Sequence, residues 1–165
     1  MNKSKRYIRP YAHGFTLIEL LVTLAITAIL VSYGLPAYNE FAQRQTLSTE
    51  TNNLLSDLNF ARNLAVDKGT KVLLVSNNGS DWEGGWSILQ NLPTNPVTTQ
   101  TVRVKQKVSG NITITESGGL DRVTYDSQGG ASALVSFTIQ KTPDFPNFIA
   151  LTVSPSGLAS SNRTY

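Results

Sequence analysis

Cysteine is absent from the 165 residues, and histidine occurs once, at His13. The first absence excludes disulfides, thiolate nucleophiles and Cys-ligated zinc, and it leaves the redox compartment open. The second removes the usual general base, since no imidazole follows position 13 to activate a serine. No phosphate-cradling glycine loop followed by Lys-Ser/Thr is present. Asp81 with Glu83, and Asp121 with Asp126, come nearest to paired carboxylates. Their spacing fits no calcium loop, and solvated turns account for them. The chain is therefore expected not to be an enzyme, and to hold no metal or cofactor.

Positive charge is unevenly spread. The formal net charge is +3, but Lys3, Lys5, Arg6 and Arg9 all precede Gly14. Taking those four from the fourteen Lys and Arg leaves ten against eleven Asp and Glu. The basicity belongs to the amino-terminal leader and does not by itself argue for nucleic acid.

What the chain does have is one long apolar run. Phe15 to Leu35 contains a single charged residue, Glu19. As a helix the run would reach about 31 Å, close to the ~30 Å hydrocarbon core of a bilayer. The basic leader predicts that its start faces the cytoplasm. A secretory signal peptide fits poorly, because the run is too long and the small residue, Gly14, stands before it. Glu19 has two readings. It sits in the first helical turn, where the dipole favours an anion. Alternatively, a cut between Gly14 and Phe15 would create an amine on the same helix face, for Glu19 of this subunit or a neighbour to pair with.

The stretch "GFTLIELL" after a short basic leader resembles the type IV pilin and pseudopilin superfamily. The resemblance implies cleavage after Gly14 by a prepilin peptidase, N-methylation of Phe15 by the same enzyme, and a role for Glu19 in docking the subunit into a filament. Gly34 and Pro36 close the apolar run. Proline removes a backbone donor and glycine loosens a helix, so either a stop or a kink is expected, and the family pattern favours a kink.

Helical periodicity resumes from Ala37 to Lys68. Leu47, Leu54, Leu58, Ala61 and Ala65 recur at spacings of seven, four, three and four, while Glu50 and Asp57 fall largely off that stripe. "TLSTETNN", Thr46 to Asn53, is rich in poor helix formers and is expected to be the weakest part. Gly69 reads as the residue just past the helix end. From Thr70 about seven short strands are expected, among them 71–75 before an Asn-Asn-Gly turn, and period-2 faces at Ala133 to Ile139 and Ile149 to Val153. Pro93, Pro96, Pro143 and Pro146 mark loops. The fold class is α+β: a long amino-terminal helix, half transmembrane and half amphipathic, packed on an antiparallel β-rich domain, as in the type IV pilin fold. The division expected is leader 1–14, membrane and assembly helix 15–36, amphipathic helix 37–69 and globular domain 70–165.

"FARNLAVDKGTKVLLV" followed by "DWEGGWSILQN" is similar to the GspH/FimT branch of that superfamily. The branch implies a minor pilin of a type IV pilus, acting in a priming or tip complex, or the H-type minor pseudopilin of a type II secretion system. The implied setting is the bacterial inner membrane, crossed once with the carboxy-terminal domain in the periplasm, and then a pilus or pseudopilus. The implied partners are prepilin peptidase and other minor and major pilins or pseudopilins.

DNA is a further candidate partner, because some FimT-like minor pilins bind it during transformation. Their pattern implies a Gly-Arg-x-Arg tail, whereas here Gly157 is followed by Leu158 and Arg163 is the tail's one arginine. Arg103, Lys105 and Lys107 form an i, i+2, i+4 series that a strand would point to one face. Such a stripe can contact phosphates, or simply keep a sheet face solvated. Trp82 and Trp86 admit stacking on bases or core packing, with Trp86 above all suited to the core.

Overall fold

In a computed structural model of the chain, residues 14–94, 96–108, 110–141 and 147–164 are described. The leader with His13, and the loop prolines Pro143 and Pro146, lie outside the described residues. The chain divides into two compact units, Met1–Glu40 and Phe41–Tyr165.

Helix α1 spans Leu17–Lys68, with Pro36 inside it. Helical structure continues on both sides of Pro36, so the chain does not stop there. In the first unit the apolar side chains face outward: Phe15, Leu17, Tyr33 and Leu35 are all exposed. By length and composition this helix is able to cross a membrane. Three of its hydroxyls are satisfied locally: Thr23 donates to the Leu20 carbonyl, Thr27 to the Thr23 carbonyl and Ser32 to the Ala28 carbonyl. That matters in hydrocarbon, where an unpaired polar group costs several kcal/mol.

Within the second unit the helix buries Leu47, Thr51, Leu54, Leu58, Ala61 and Ala65, a three-four alternation that keeps one stripe inward. The polar stretch from Thr46 to Asn53 is helical, and Thr46, Thr49 and Thr51 each satisfy their hydroxyl on the carbonyl four residues back. At the end Gly69 takes φ of 60°, and the Thr70 N–H reaches the Ala65 carbonyl at 3.2 Å. With the Gly69 N–H on Val66, this is a Schellman cap.

Among the described residues eight strands follow, one more than the sequence suggests. They are β1 Val72–Asn78, β2 Asp81–Leu92, β3 Thr98–Lys105, β4 Ile112–Glu116, β5 Arg122–Tyr125, β6 Val135–Lys141, β7 Phe148–Val153 and β8 Ala159–Thr164. They form two antiparallel sheets of order β3-β2-β1-β5 and β4-β6-β7-β8. Strand β8, with the polar sequence ASSNRT, lacks the alternation that marks its neighbours, and Ala133 lies ahead of β6 and is exposed.

Every buried apolar side chain among the described residues lies between Leu47 and Val153, so the second unit holds its own core. Both tryptophans are fully buried. Trp82 packs edge-on against Phe137 of the other sheet, ring centroids 4.9 Å apart, and donates from Nε1 to the Leu120 carbonyl. Base stacking is therefore closed to both rings in this fold.

Tyr125 is also fully buried, and among the described residues its hydroxyl has no hydrogen-bond partner. Burial pushes its pKa well above the ordinary 10.0. Below pH 10.0 both folded and unfolded phenols are neutral; above it the unfolded one ionises while the buried one keeps its proton, so stability falls. Tyr125→Phe should remove that alkaline loss and raise stability at neutral pH by about 1 kcal/mol. Urea melts of wild type and variant at pH 7 and above pH 10 check both parts.

Candidate functional site

The amino-terminal site is built on the first helical turn. Thr16 is the N-cap: its carbonyl accepts the first helical bond, from the Leu20 N–H at 3.2 Å. Its hydroxyl accepts the Glu19 N–H at 3.2 Å, and the Glu19 carboxylate accepts the Thr16 N–H at 3.4 Å. The two residues form a capping box, T-x-x-E, that satisfies two orphan donors reciprocally. This bond gives Glu19 a partner within its own chain and holds its carboxylate at the backbone of the residue that follows Phe15. Sequence reasoning places Glu19 in the first turn but misses Thr16, which the three-residue spacing Thr16–Glu19 could have signalled.

Gly14 and Gly34 have no atom within 4 Å of where a Cβ would stand. Nothing in the described packing requires glycine at either position. At Gly34 the missing side chain leaves a shallow notch on the helix, lined by Thr27, Leu30, Val31, Leu35 and Tyr38. Pro36 lies just beyond it.

The second site is the cation series, and the structure revises it. Arg103 and Lys105 are on β3, while Lys107 lies two residues past its end. The three do not form one strand face. Register pairs Lys105 with Trp86 and Arg103 with Ile88, which puts both cations on the side that faces α1. Arg103 Nη1 donates to Asp57 Oδ1 at 2.6 Å and its guanidinium lies 4.1 Å from the Phe60 ring centroid. Lys105 Nζ sits 3.0 Å from Glu50 Oε2, which also accepts from Asn53 Nδ2 at 3.2 Å.

Glu50 and Asp57 are buried, at 5% and 6% exposure, although periodicity sets them off the apolar stripe. They stand seven residues apart on the helix, two turns, and meet cations two residues apart on a strand. The other Asp57 oxygen accepts the Trp86 indole N–H at 2.9 Å. One carboxylate thus ties helix, inner strand and edge strand together. Gly85 has no room for a side chain, since a Cβ there would strike the Lys105 carbonyl, and its φ of 92° also favours glycine.

Lys107 acts elsewhere. The Asn78 amide, 3.0 Å away, holds the Asp81 carboxyl below its usual range, with the N–H groups of Glu83 and Gly84 and the charge of Lys107 adding to the effect. Asp121 is likewise lowered, by its bond to the Arg122 guanidinium. Asp126 accepts the N–H groups of Gln128 and Gly130. These acids serve turns, and among the described residues no group of three metal-ligating side chains forms. Arg163, on β8, donates from Nη2 to Ser48 Oγ at 3.0 Å. Arg103, Lys105 and Arg163 each bond to a different residue of α1, and Lys107 lies in the segment after β3.

Comparison with known proteins fits this architecture. The family described as Type II transport protein GspH matches residues 50–157, more than half of the chain. The chain belongs to the GspH family. The prokaryotic N-terminal methylation motif matches residues 9–34, which includes Gly14, Phe15 and Glu19.

Among solved structures, this GspH-family chain is similar to the type IV minor pilin FimU of Pseudomonas aeruginosa PAO1. In one crystal form the TM-score is 0.64 at 20% identity, over 74% of this chain and 92% of FimU. In a second form it is 0.59 at 19% identity, over 70% and 91%. At that identity the likeness shows the fold: one long amino-terminal helix on antiparallel sheets, the type IV pilin fold. The chain is also 49% identical over 35 residues to the type IV major fimbrial protein FimA of Dichelobacter nodosus. It spans only 22% of the length of that curated relative.

The Asp57 junction yields a direct test. Asp57→Ala leaves the Trp86 indole and Arg103 without their acceptor and should cost about 2 kcal/mol, since hydrogen bonds to charged groups are worth ~1.5–3 kcal/mol. Lys107→Ala, outside any such knot, should stay within about 0.5 kcal/mol. Urea denaturation of the two variants gives the comparison.

Proposed function

We propose that the chain is a minor pilin of a type IV pilus, a structural subunit of the priming or tip complex that supports filament assembly. It crosses the bacterial inner membrane once, with the β-rich unit in the periplasm. Prepilin peptidase cuts between Gly14 and Phe15 and methylates the new Phe15 amine. The apolar helix then packs among those of other pilins, with Gly34 and Pro36 in the packed segment. Glu19 changes partner: its carboxylate, which caps Thr16, pairs with a Phe15 amine on its own or a neighbouring subunit.

The observation that carries this reading is the exposed apolar helix that begins at a capped Glu19 and leads into a separately cored β-rich unit. An apolar surface exposed on all sides needs lipid or other helices to cover it. The family match to a type II transport protein favours a second reading, the H-type minor pseudopilin of a type II secretion system. The transformation role, with DNA as ligand, has less support, because Arg103 and Lys105 already serve Asp57 and Glu50. An enzymatic role has none in the acids and hydroxyls described.

Glu19→Ala should still insert and be cut, yet be recovered in filaments at a tenth or less of the wild-type level, because one lost charge pair in a desolvated site is worth ~1.4 kcal/mol or more. Normal incorporation would refute the pairing. A deletion strain assayed for surface pili, enzyme secretion and DNA uptake separates the machines. Loss of pili with secretion intact supports the pilus; the reverse supports the pseudopilus; loss of uptake alone revives DNA binding.

A further inference from the structure

The hairpin from β1 to β2 turns on Asn78-Gly79-Ser80-Asp81, with Asn78 and Asp81 as its last ladder pair and Gly79 at φ of 64°. That φ favours glycine, because a Cβ is strained in the left-handed region. The turn therefore fixes, directly after an asparagine, the residue type whose nitrogen no side chain shields. Asn-Gly occurs at this position alone in the sequence. Asn78, Gly79 and Ser80 are all exposed, and no atom lies within 4 Å of where a Gly79 Cβ would stand. Among the described residues the Gly79 N–H has no hydrogen-bond partner.

The carboxamide beside that nitrogen is held loosely. Asn78 Nδ2 donates to Asp81 Oδ2 at 3.0 Å, an exposed contact in which water competes, and the Asn78 N–H reaches Ser76 Oγ at 3.3 Å. The β1–β2 register shifts between Ser76 and Asn78, so the terminal pair is set apart from the regular ladder of Val72 to Ser76. Pairs at the tip of a hairpin open locally at low cost. Opening frees the Asn78 ψ from its strand value and lets Cγ swing onto the Gly79 nitrogen. Asn77 is the contrast. Its Nδ2 donates to the Lys105 carbonyl at 3.0 Å and its Oδ1 accepts from Ser87 Oγ at 2.6 Å, so both ends of its carboxamide are tied to other strands. The residue after it is Asn78 rather than glycine.

We infer that Asn78 is a self-modifying site, converted to aspartate and isoaspartate through attack by the Gly79 nitrogen, and that the conversion releases the β1–β2 turn while the core stays closed. The Gly79 nitrogen gives up its proton to base and bonds to Asn78 Cγ; the carboxamide nitrogen takes a proton and leaves as ammonia. Water then opens the resulting imide at either carbonyl, and nothing is oxidised or reduced. One opening gives aspartate, and the other gives isoaspartate, whose main chain is longer by a methylene. Either product brings a new carboxylate to Asp81 where a donor stood, and like charges so close disfavour each other. Isoaspartate also lengthens a tight turn that sets the register of both strands. Asp81 in turn holds the N–H groups of Glu83 and Gly84. The disturbance ends there, because Gly85 packs against the Lys105 carbonyl and Trp86 is buried on Asp57. The site does not depend on which filament the subunit serves.

The full-length chain, purified in detergent, is held folded at pH 6 and at pH 8 while peptide mapping follows each asparagine. At pH 8 Asn78 should gain about 1 Da roughly tenfold faster than its neighbour Asn77, since a covalent change of this kind needs a free amide and a free nitrogen. It should yield aspartate and isoaspartate together, the mark of an imide, and slow at pH 6, where less base is present. Asn78→Gln, which would have to close a larger ring, should keep its starting mass at this site. Asn78→Asp carries the product charge, and its Glu83 and Gly84 amide hydrogens should exchange about tenfold faster than in wild type, with Trp86 unchanged. Conversion of Asn78 no faster than of Asn77, conversion only after unfolding in urea, or aspartate without isoaspartate overturns the site. Unchanged exchange at Glu83 and Gly84 in Asn78→Asp, or faster exchange that spreads to Trp86, overturns the released turn.

Discussion

A carboxylate buried between a helix and a sheet governs the second unit. Asp57 accepts the indole of Trp86 with one oxygen and the guanidinium of Arg103 with the other. A buried carboxylate without donors would cost several kcal/mol, so each partner is fixed by the need to satisfy it. Trp86 is thereby anchored on β2, β3 is strapped to the helix, and Phe60 stacks on the same guanidinium. Glu50 and Lys105 repeat the arrangement two helical turns away. An edge strand exposed on most of its length is held by its ladder with β2 and by these ties, with little apolar burial of its own.

The same helix works under a different constraint in the first unit. There its side chains are largely apolar and uncovered, Thr23, Thr27 and Ser32 bond to carbonyls of the same helix, and its acid at the start closes a capping box. Thr16, Glu19, Thr23, Thr27 and Ser32 are satisfied within the segment while its surface is left for lipid or other helices. These are the properties a subunit needs to wait in a membrane and then enter a filament.

Much of this was legible in the sequence. The apolar run, the Leu and Ala stripe, Gly69 at the helix end and the alternating strands at Val135 and Ile149 all follow from periodicity and backbone chemistry. The buried acids were not legible, because Glu50 and Asp57 look like surface residues until a cation on a distant strand arrives beside them. Arg103, Lys105 and Lys107 misled for the matching reason. A period of two says which side of a strand a residue is on; it does not say what stands there or where the strand ends. Strand β8 escaped because its polar residues carry no alternation, and its register is dictated by β7. At the amino terminus Glu19 was conspicuous, but its bond to Thr16 depends on where the helix begins.

Assembly as proposed requires that the apolar helix start at a newly made amine. Intact-mass analysis of the chain isolated from membranes measures this directly. The expected protein begins at Phe15, lacks residues 1–14 and carries one additional methyl group on its amino terminus. A chain that retains the leader, or one cut after the apolar run, would contradict it.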